Sequence, residues 1–334
     1  MRKLLIGLLG YTFVSQQMVA QTDSIASTHE LKNVVVRATN GIKLKYRVDN
    51  AEIIGQGQLV RAACCNLGES FTANPSVDVS YSDAATGAKQ IKLLGLSGTY
   101  VQMLTENIPN LRGASLPYSL GYVPGPWMQS IQVSKGASSV KNGYESTTGQ
   151  INIEFLKPQG TDGIRANIYQ DNELKTEVNL DGSTHLNNRL STATLLHFEN
   201  RQTDHDGNGD GFMDMPKLRQ YNIMHRWAYV SPRWISQLLV RGLHDDRKGG
   251  QSMKHANSAS SEPLYTTSVK TNRYEMQWKN GFTLDADHNT SIALMLHGSW
   301  HDGDNRFGST QYDVTQKNGY AQLMFETDIT EHHN

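Results

Sequence analysis

Residues 291–301 read SIALMLHGSWH, so that Ile292, Leu294, Leu296 and Trp300 alternate with Ala293, Met295, His297, Ser299 and His301. Successive side chains of a strand point to opposite faces, and this segment is therefore a strand with one apolar and one wet face. Ala321, Leu323, Phe325 and Ile329 alternate in the same way with Tyr320, Gln322, Met324 and Glu326. Tyr274, Met276 and Trp278 do so against Arg273, Glu275 and Gln277. A strand of a soluble sandwich shows the same pattern, but it is usually only about five or six residues long. These segments run beyond about ten, the length at which a tilted strand crosses a bilayer in a barrel.

Working outward, residues 163–334 hold about eight such segments. Short polar turns at 186–189, 231–233 and 284–288 alternate with long connections at 202–216, 249–267 and 303–312. Barrels in outer membranes alternate short turns on one side with long loops on the other. The mean hydropathy of −0.52 does not oppose this, because barrel strands average their two faces. A helical membrane protein is excluded, since the longest apolar run, residues 4–14, falls short of the roughly 20 residues a spanning helix needs. With 31 Lys and Arg against 32 Asp and Glu, the chain also lacks the basic field that nucleic acid requires.

The first half is organised differently. Arg2 and Lys3, the apolar run 4–14, the polar Ser15, Gln16 and Gln17, and the small Ala20 make residues 1–20 a secretory signal peptide. Residues 21–40 form a polar, disordered arm, interrupted by Val34, Val35 and Val36. Three β-branched residues in a solvated arm serve to add a strand, either within this chain or on a partner. Residues 41–158 mix element types and predict an α+β domain. Leu59, Ala63, Leu67 and Phe71 predict one helix over 58–71, stopped at Asn74-Pro75, and short β runs follow at 76–81, 88–94, 99–104, 127–133 and 150–155. Cys64 and Cys65 lie beside the apolar stripe and read as inert packing; the alternative is a soft-metal or redox pair. No phosphate loop, zinc-protease helix or nucleophile elbow occurs, so neither an enzyme nor an organic cofactor is expected.

One loop has metal-ligand spacing. In 204–214, DHDGNGDGFMD, Asp206, Asn208, Asp210 and Asp214 occupy positions 1, 3, 5 and 9 of a calcium loop, with Gly211 at the sharp turn and the Phe212 carbonyl at position 7. Lys217 stands where a bidentate Glu closes a helix–loop–helix site, so any Ca2+ here orders an external loop; the alternative is a solvated acidic turn. His297 and His301 share a wet face but lie about 13 Å apart along the strand, too far to chelate one ion.

Three stretches carry a family resemblance: 74–79 (NPSVDV), 95–109 (GLSGTYVQMLTENIP) and 131–155 (IQVSKGASSVKNGYESTTGQINIEF). The last holds Lys135-Gly136 with Ser138 or Ser139, then Gly143, then Gly149-Gln150-Ile151-Asn152-Ile153. Together they resemble the plug domain of TonB-dependent outer-membrane receptors, and 30–38 (ELKNVVVRA) resembles the coupling peptide, the TonB box. Two pairs depart from the family pattern: its Arg-Gly reads Lys92-Leu93-Leu94-Gly95 here, and its Asp-Gly reads Glu106-Asn107.

The resemblance implies an α+β plug domain at 41–158 followed by antiparallel transmembrane β-barrel strands, about 8 of about 22. At about 20 residues per strand and loop, the whole barrel would need roughly 450 residues, so the N-terminal part of a larger receptor is expected. It further implies a place in the cell outer membrane, in contact with its lipid, and active import of a scarce nutrient such as a metal chelate, haem or cobalamin. The inner-membrane TonB complex would pair with Val34, Val35 and Val36, while the small-molecule or metal-chelate ligand would meet the plug apices at Tyr81, Ser82, Thr86, Arg112 and Tyr118. The competing expectation is a calcium-ordered, non-transporting surface-binding or sensory protein of the same membrane.

Overall fold

The computed structural model describes residues 51–328 apart from 62–64, 73, 75, 137–141, 144, 160–162, 253–262, 287 and 288. The expected signal peptide, the polar arm and the segment Val34–Val36 expected to be a TonB box lie outside the described residues, as does Cys64.

In the first half, β1 (Ala51–Gly55), α1 (Gln56–Arg61), β2 (Val77–Asp83), β3 (Ala88–Leu93), β4 (Leu96–Ser97), β5 (Val101–Thr105), β6 (Ile108–Pro109), β7 (Met128–Lys135) and β8 (Gly149–Phe155) follow in order. They form a five-stranded sheet, β1-β7-β8-β5-β6, with β5 and β8 parallel, and a three-stranded meander, β2-β3-β4. The β runs read from the sequence all form strands, with ends shifted by a residue or two. The helix expected over 58–71 does not: α1 ends at Arg61, and only a 3-10 turn, Glu69–Phe71, remains of its second half. Pairing with a distant segment breaks it. The Leu67 amide donates to the Val123 carbonyl at 3.0 Å, the Gly125 amide to the Cys65 carbonyl at 2.9 Å, and the Glu69 carboxylate takes the Cys65 amide at 3.1 Å. Leu67 and Phe71 are buried all the same, so the apolar stripe predicts the core better than it predicts the helix.

Trp127, Ile131, Val133, Ile151 and Ile153 are fully buried at the centre of this domain, and Ala193, Leu195, Met224 and Leu239 from the second half complete the same core. Gly149, at φ +155°, is required where β8 meets β7, because a Cβ there would overlap the Ser134 carbonyl oxygen and Leu93.

The second half is one antiparallel meander: β9 (Gly163–Gln170), β10 (Thr176–His185), β11 (Leu190–Arg201), β12 (Lys217–Val230), β13 (Trp234–Gly250), β14 (Thr266–Asp285), β15 (Thr290–Phe307) and β16 (Thr310–Glu326). Among the described residues these eight strands pair only with their chain neighbours, leaving an open sheet edged by β9 and β16. The expected loop at 303–312 is absent. The ladder continues from Gly303↔Val314 to Phe307↔Thr310, and a two-residue turn at Gly308 and Ser309 closes it, with Gly308 at φ +59°. Polar residues on both faces of this end had read as a loop, whereas they belong to strand ends that outrun the apolar band.

The faces are inverted relative to a soluble sheet. Tyr274, Met276, Trp278, Leu323 and Phe325 are exposed on the outside, while Arg226, Arg241, Arg273 and Glu275 are buried inside. Two aromatic belts bound the outer face. Tyr229, Trp234 and Phe282 pack at 4.8 and 5.8 Å between centroids, and Phe198 with Tyr221 and Tyr274 with Trp300 pack at 5.2 and 6.0 Å. Tyr274 and Phe282 lie eight residues apart on β14, or about 26 Å along the strand; at the tilt of about 35–45° of a barrel strand this is roughly 20 Å of height, comparable to the roughly 25 Å apolar band of a membrane barrel.

Trp127→Ala should lower stability by about 3–5 kcal/mol by emptying the shared core. Urea unfolding followed by far-UV circular dichroism measures it, and an unchanged midpoint would show that the two halves do not share one core.

Candidate functional site

The chemistry concentrates where the first domain meets the inner face of the sheet. The turn between β5 and β6 places Glu106 and Asn107 successively in the left-handed region, at φ +51° and +65°, as a two-residue type I′ hairpin requires. The Glu106 amide donates to the Ile153 carbonyl and the Asn107 amide to Asn152 Oδ1, both at 2.8 Å. So held, the buried Glu106 carboxylate receives Lys157 Nζ at 2.6 Å, Arg226 Nη1 and Nη2 at 2.8 and 3.3 Å, and Lys279 Nζ at 3.4 Å. Burial alone would raise its pKa; Lys157, Arg226 and Lys279 together hold it well below the ordinary 4.5.

A second grip is the 3-10 segment Gly113–Gly121 with Tyr122. Gln220 donates to the Gly121 carbonyl at 3.1 Å, Asn222 to the Tyr122 carbonyl at 2.8 Å, and Arg241 to that same carbonyl. The Tyr122 hydroxyl donates to Thr271 at 3.2 Å, and Gln316 on β16 accepts the Ala114 amide at 2.7 Å. Arg273 reaches Asn110 at 2.7 Å while pairing with Glu275 at 2.5 Å. On the sheet, then, every partner sits at an inward position of the period-two pattern, Lys279 included, and side chains from β12, β13, β14 and β16 take part.

At the end of the sheet that carries the long connections, a cavity of about 280 Å³ lies between domain and sheet, lined by Tyr81, Lys89 and Tyr118 on one side and Lys175, Arg201 and Arg247 on the other. Of the five residues expected to meet ligand, it brings together Tyr81 and Tyr118; Arg247 lies over the Tyr118 ring at 5.0 Å. Ser82 is exposed at the end of β2. Thr86 is buried, with its hydroxyl used inside the loop on Asp83 Oδ2 at 2.6 Å. Arg112 stands apart, paired with Glu145 at 2.8 Å. Cys65 lies buried in the cavity wall, where burial pushes its thiol well up from its usual range; it is a protonated packing group there.

The 204–214 loop folds on its own oxygens. Asp206 accepts the Gly209 and Gly211 amides at 2.8 and 2.9 Å, Asn208 the Asp210 amide at 3.0 Å, Asp210 the Phe212 amide at 2.8 Å, and Asp214 the Gly207 amide at 2.8 Å. Among the described residues no three His, Cys, Asp or Glu side chains converge as a metal site, and calcium here rests on the sequence pattern. His297 and His301 are buried on the inner face.

Sequence reading missed the Glu106 cluster. What the sequence does carry is charge at inward positions of neighbouring strands, Arg241, Asp245 and Arg247 on β13 and Arg273 and Glu275 on β14, on the face that a lone barrel would leave wet; nothing local points to Glu106 itself.

Glu106→Gln leaves three cations around a neutral group and should loosen the domain from the sheet by about 3–5 kcal/mol. Because the folded pKa is depressed, the carboxylate's contribution is complete above about 4.5 and is lost as pH falls toward the folded value. Urea midpoints of wild type and variant should therefore converge in acid; a gap that stays constant from neutral to acid pH would contradict the assignment.

Residues 45–150 match the family model of the TonB-dependent Receptor Plug Domain. No curated protein sequence matches the chain. Among solved structures, a mutant of the ferric enterobactin receptor PfeA from Pseudomonas aeruginosa is similar at a TM-score of 0.60 and 14% identity, over 83% of this chain and 46% of that one. The siderophore receptor PiuA from Acinetobacter baumannii gives 0.59 and 13%, over 76% and 36%, and the copper transporter OprC 0.51 and 12%, over 83% and 53%. The chain thus spans about a third to a half of the length of these structures, and at such identities the likeness is one of fold. Residues 45–150 are therefore a TonB-dependent receptor plug domain, and the eight strands that follow take up part of the receptor fold.

Proposed function

We propose that the chain serves in a TonB-dependent transporter of the outer membrane that imports a scarce nutrient, most simply a metal chelate of the siderophore kind, with haem and cobalamin as the other candidates. The observation that carries the reading is the seat of the plug: a sheet apolar on its outer face closes on the plug through buried ion pairs and hydrogen bonds. Such pairs position a domain while adding little net binding energy, because desolvation offsets much of their attraction. A plug seated this way is specified in place yet movable by force, which suits import driven from the inner membrane. The solved structures of similar fold include a siderophore receptor, a ferric enterobactin receptor and a copper transporter, which supports a metal-bearing ligand.

In this reading residues 1–20 direct export, Val34, Val35 and Val36 pair with the inner-membrane TonB complex, and Tyr81 and Tyr118 meet the ligand in the cavity beside Arg247. Val35→Pro removes a ladder donor. It should abolish uptake of the cognate chelate while ligand binding to cells survives, and dissipating the proton-motive force should do the same to wild type. Normal uptake in the variant would overturn the coupling role, and binding without energy-dependent uptake in wild type would favour the surface-binding alternative. The reading also includes Ca2+ ordering the 204–214 loop. Calorimetry should show millimolar-range binding that Asp210→Ala removes; no heat with wild type would end that part of it.

A further inference from the structure

The outer face of the sheet is not uniform. A groove of about 520 Å³ runs across β10 to β14, walled by Leu180, Leu196, Phe198, Tyr221 and Tyr274. It exists because β13 presents Gly242 at an outward position: the place of its missing Cβ lies 3.5 Å from Ile223 and 3.8 Å from Tyr274, and a larger side chain would fill the channel.

Directly beyond the groove, toward the end with the long connections, the same face turns cationic. Register places Arg219, Asp246, Lys270 and Asp304 side by side in one row. The next row is Lys217, Lys248, Ser268 and Arg306. Five cations thus face two carboxylates. Arg219, Lys248, Lys270 and Arg306 are exposed and have no ion-pair partner among the described residues, and Lys217 only reaches Asp204 at 4.0 Å. Tyr221 stands two residues below Arg219, and Tyr274 four below Lys270, or about 7 and 13 Å along the strands. An apolar channel therefore ends a headgroup's distance from a cluster of cations that have no ion-pair partner among the described residues. A protein partner would have to strip water from these four cations; an amphiphile with an anionic head satisfies both parts at once.

We propose that this surface is a specific site for a membrane lipid with a phosphate-bearing headgroup, the phosphate resting on Lys248, Lys270 and Arg219 and one acyl chain lying over Gly242. The proposal rests on the membrane placement of the sheet given above.

The test uses the full chain in phosphatidylcholine vesicles containing phosphatidylglycerol with brominated acyl chains, reading quenching of tryptophan fluorescence. Brominated phosphatidylcholine is the control. Wild type should bind the anionic lipid at least tenfold more tightly than the zwitterionic one. Molar salt, which shortens the screening length to about 3 Å, should erase that preference without any substitution. Lys248→Gln with Lys270→Gln should erase it too, and Gly242→Leu should weaken both lipids. Equal quenching by both lipids in wild type, or a preference untouched by salt and by the double variant, overturns the site. A chain that enters vesicles but shows no preference leaves the transporter reading standing; a chain that enters neither kind of vesicle overturns both.

Discussion

One buried carboxylate fixes the relation between the two halves of this chain. Glu106 sits in a left-handed turn of the plug, out of water, with Lys157 of its own domain and Arg226 and Lys279 of the sheet around it. Leaving any one of these charges unpaired in such a place is costly, so the cluster selects a single docked arrangement. The rest of the interface follows from it: once the β5–β6 turn is pinned to β12 and β14, the segment Gly113–Gly121 and the adjoining Tyr122 meet β12, β13 and β16 through backbone carbonyls and amides.

The same constraint explains why the sheet is built inside out. Its inner positions offer donors and acceptors to an irregular protein surface, and its outer positions form an apolar band. Period-two alternation meets both demands in every strand, which is why Arg273 and Glu275 are neighbours of Tyr274 and Met276 in sequence yet share no environment. Aromatic belts bound the outer face at both ends and, at the end with the long connections, a charged row follows, the order found in membrane barrels.

Much of this architecture was legible in the sequence. Alternation in 291–301 and its counterparts placed the strands, and the glycine-rich 131–155 segment placed the plug. Where reading failed, long-range contacts had overridden local signals. The stripe Leu59, Ala63, Leu67 and Phe71 was real, but backbone pairing with Val123 and Gly125 broke the helix it implied. The polar 303–312 stretch is strand because its ladder extends past the apolar band. The Glu106 pairing could not be read, since Glu106 and Arg226 are 120 residues apart and nothing local pairs them. The departure of Glu106-Asn107 from the family's Asp-Gly marked the right turn without showing what it holds.

The central claim is that charge pairing across the interface, above all Glu106 with Arg226, seats the plug. A double-mutant cycle over Glu106→Gln and Arg226→Met, read as hydrogen-exchange protection of β5 and β8 in the full chain, measures that coupling directly. The account predicts a coupling energy of about 1.5 kcal/mol or more, as for other close buried charge pairs. Strictly additive effects of the two substitutions would contradict it.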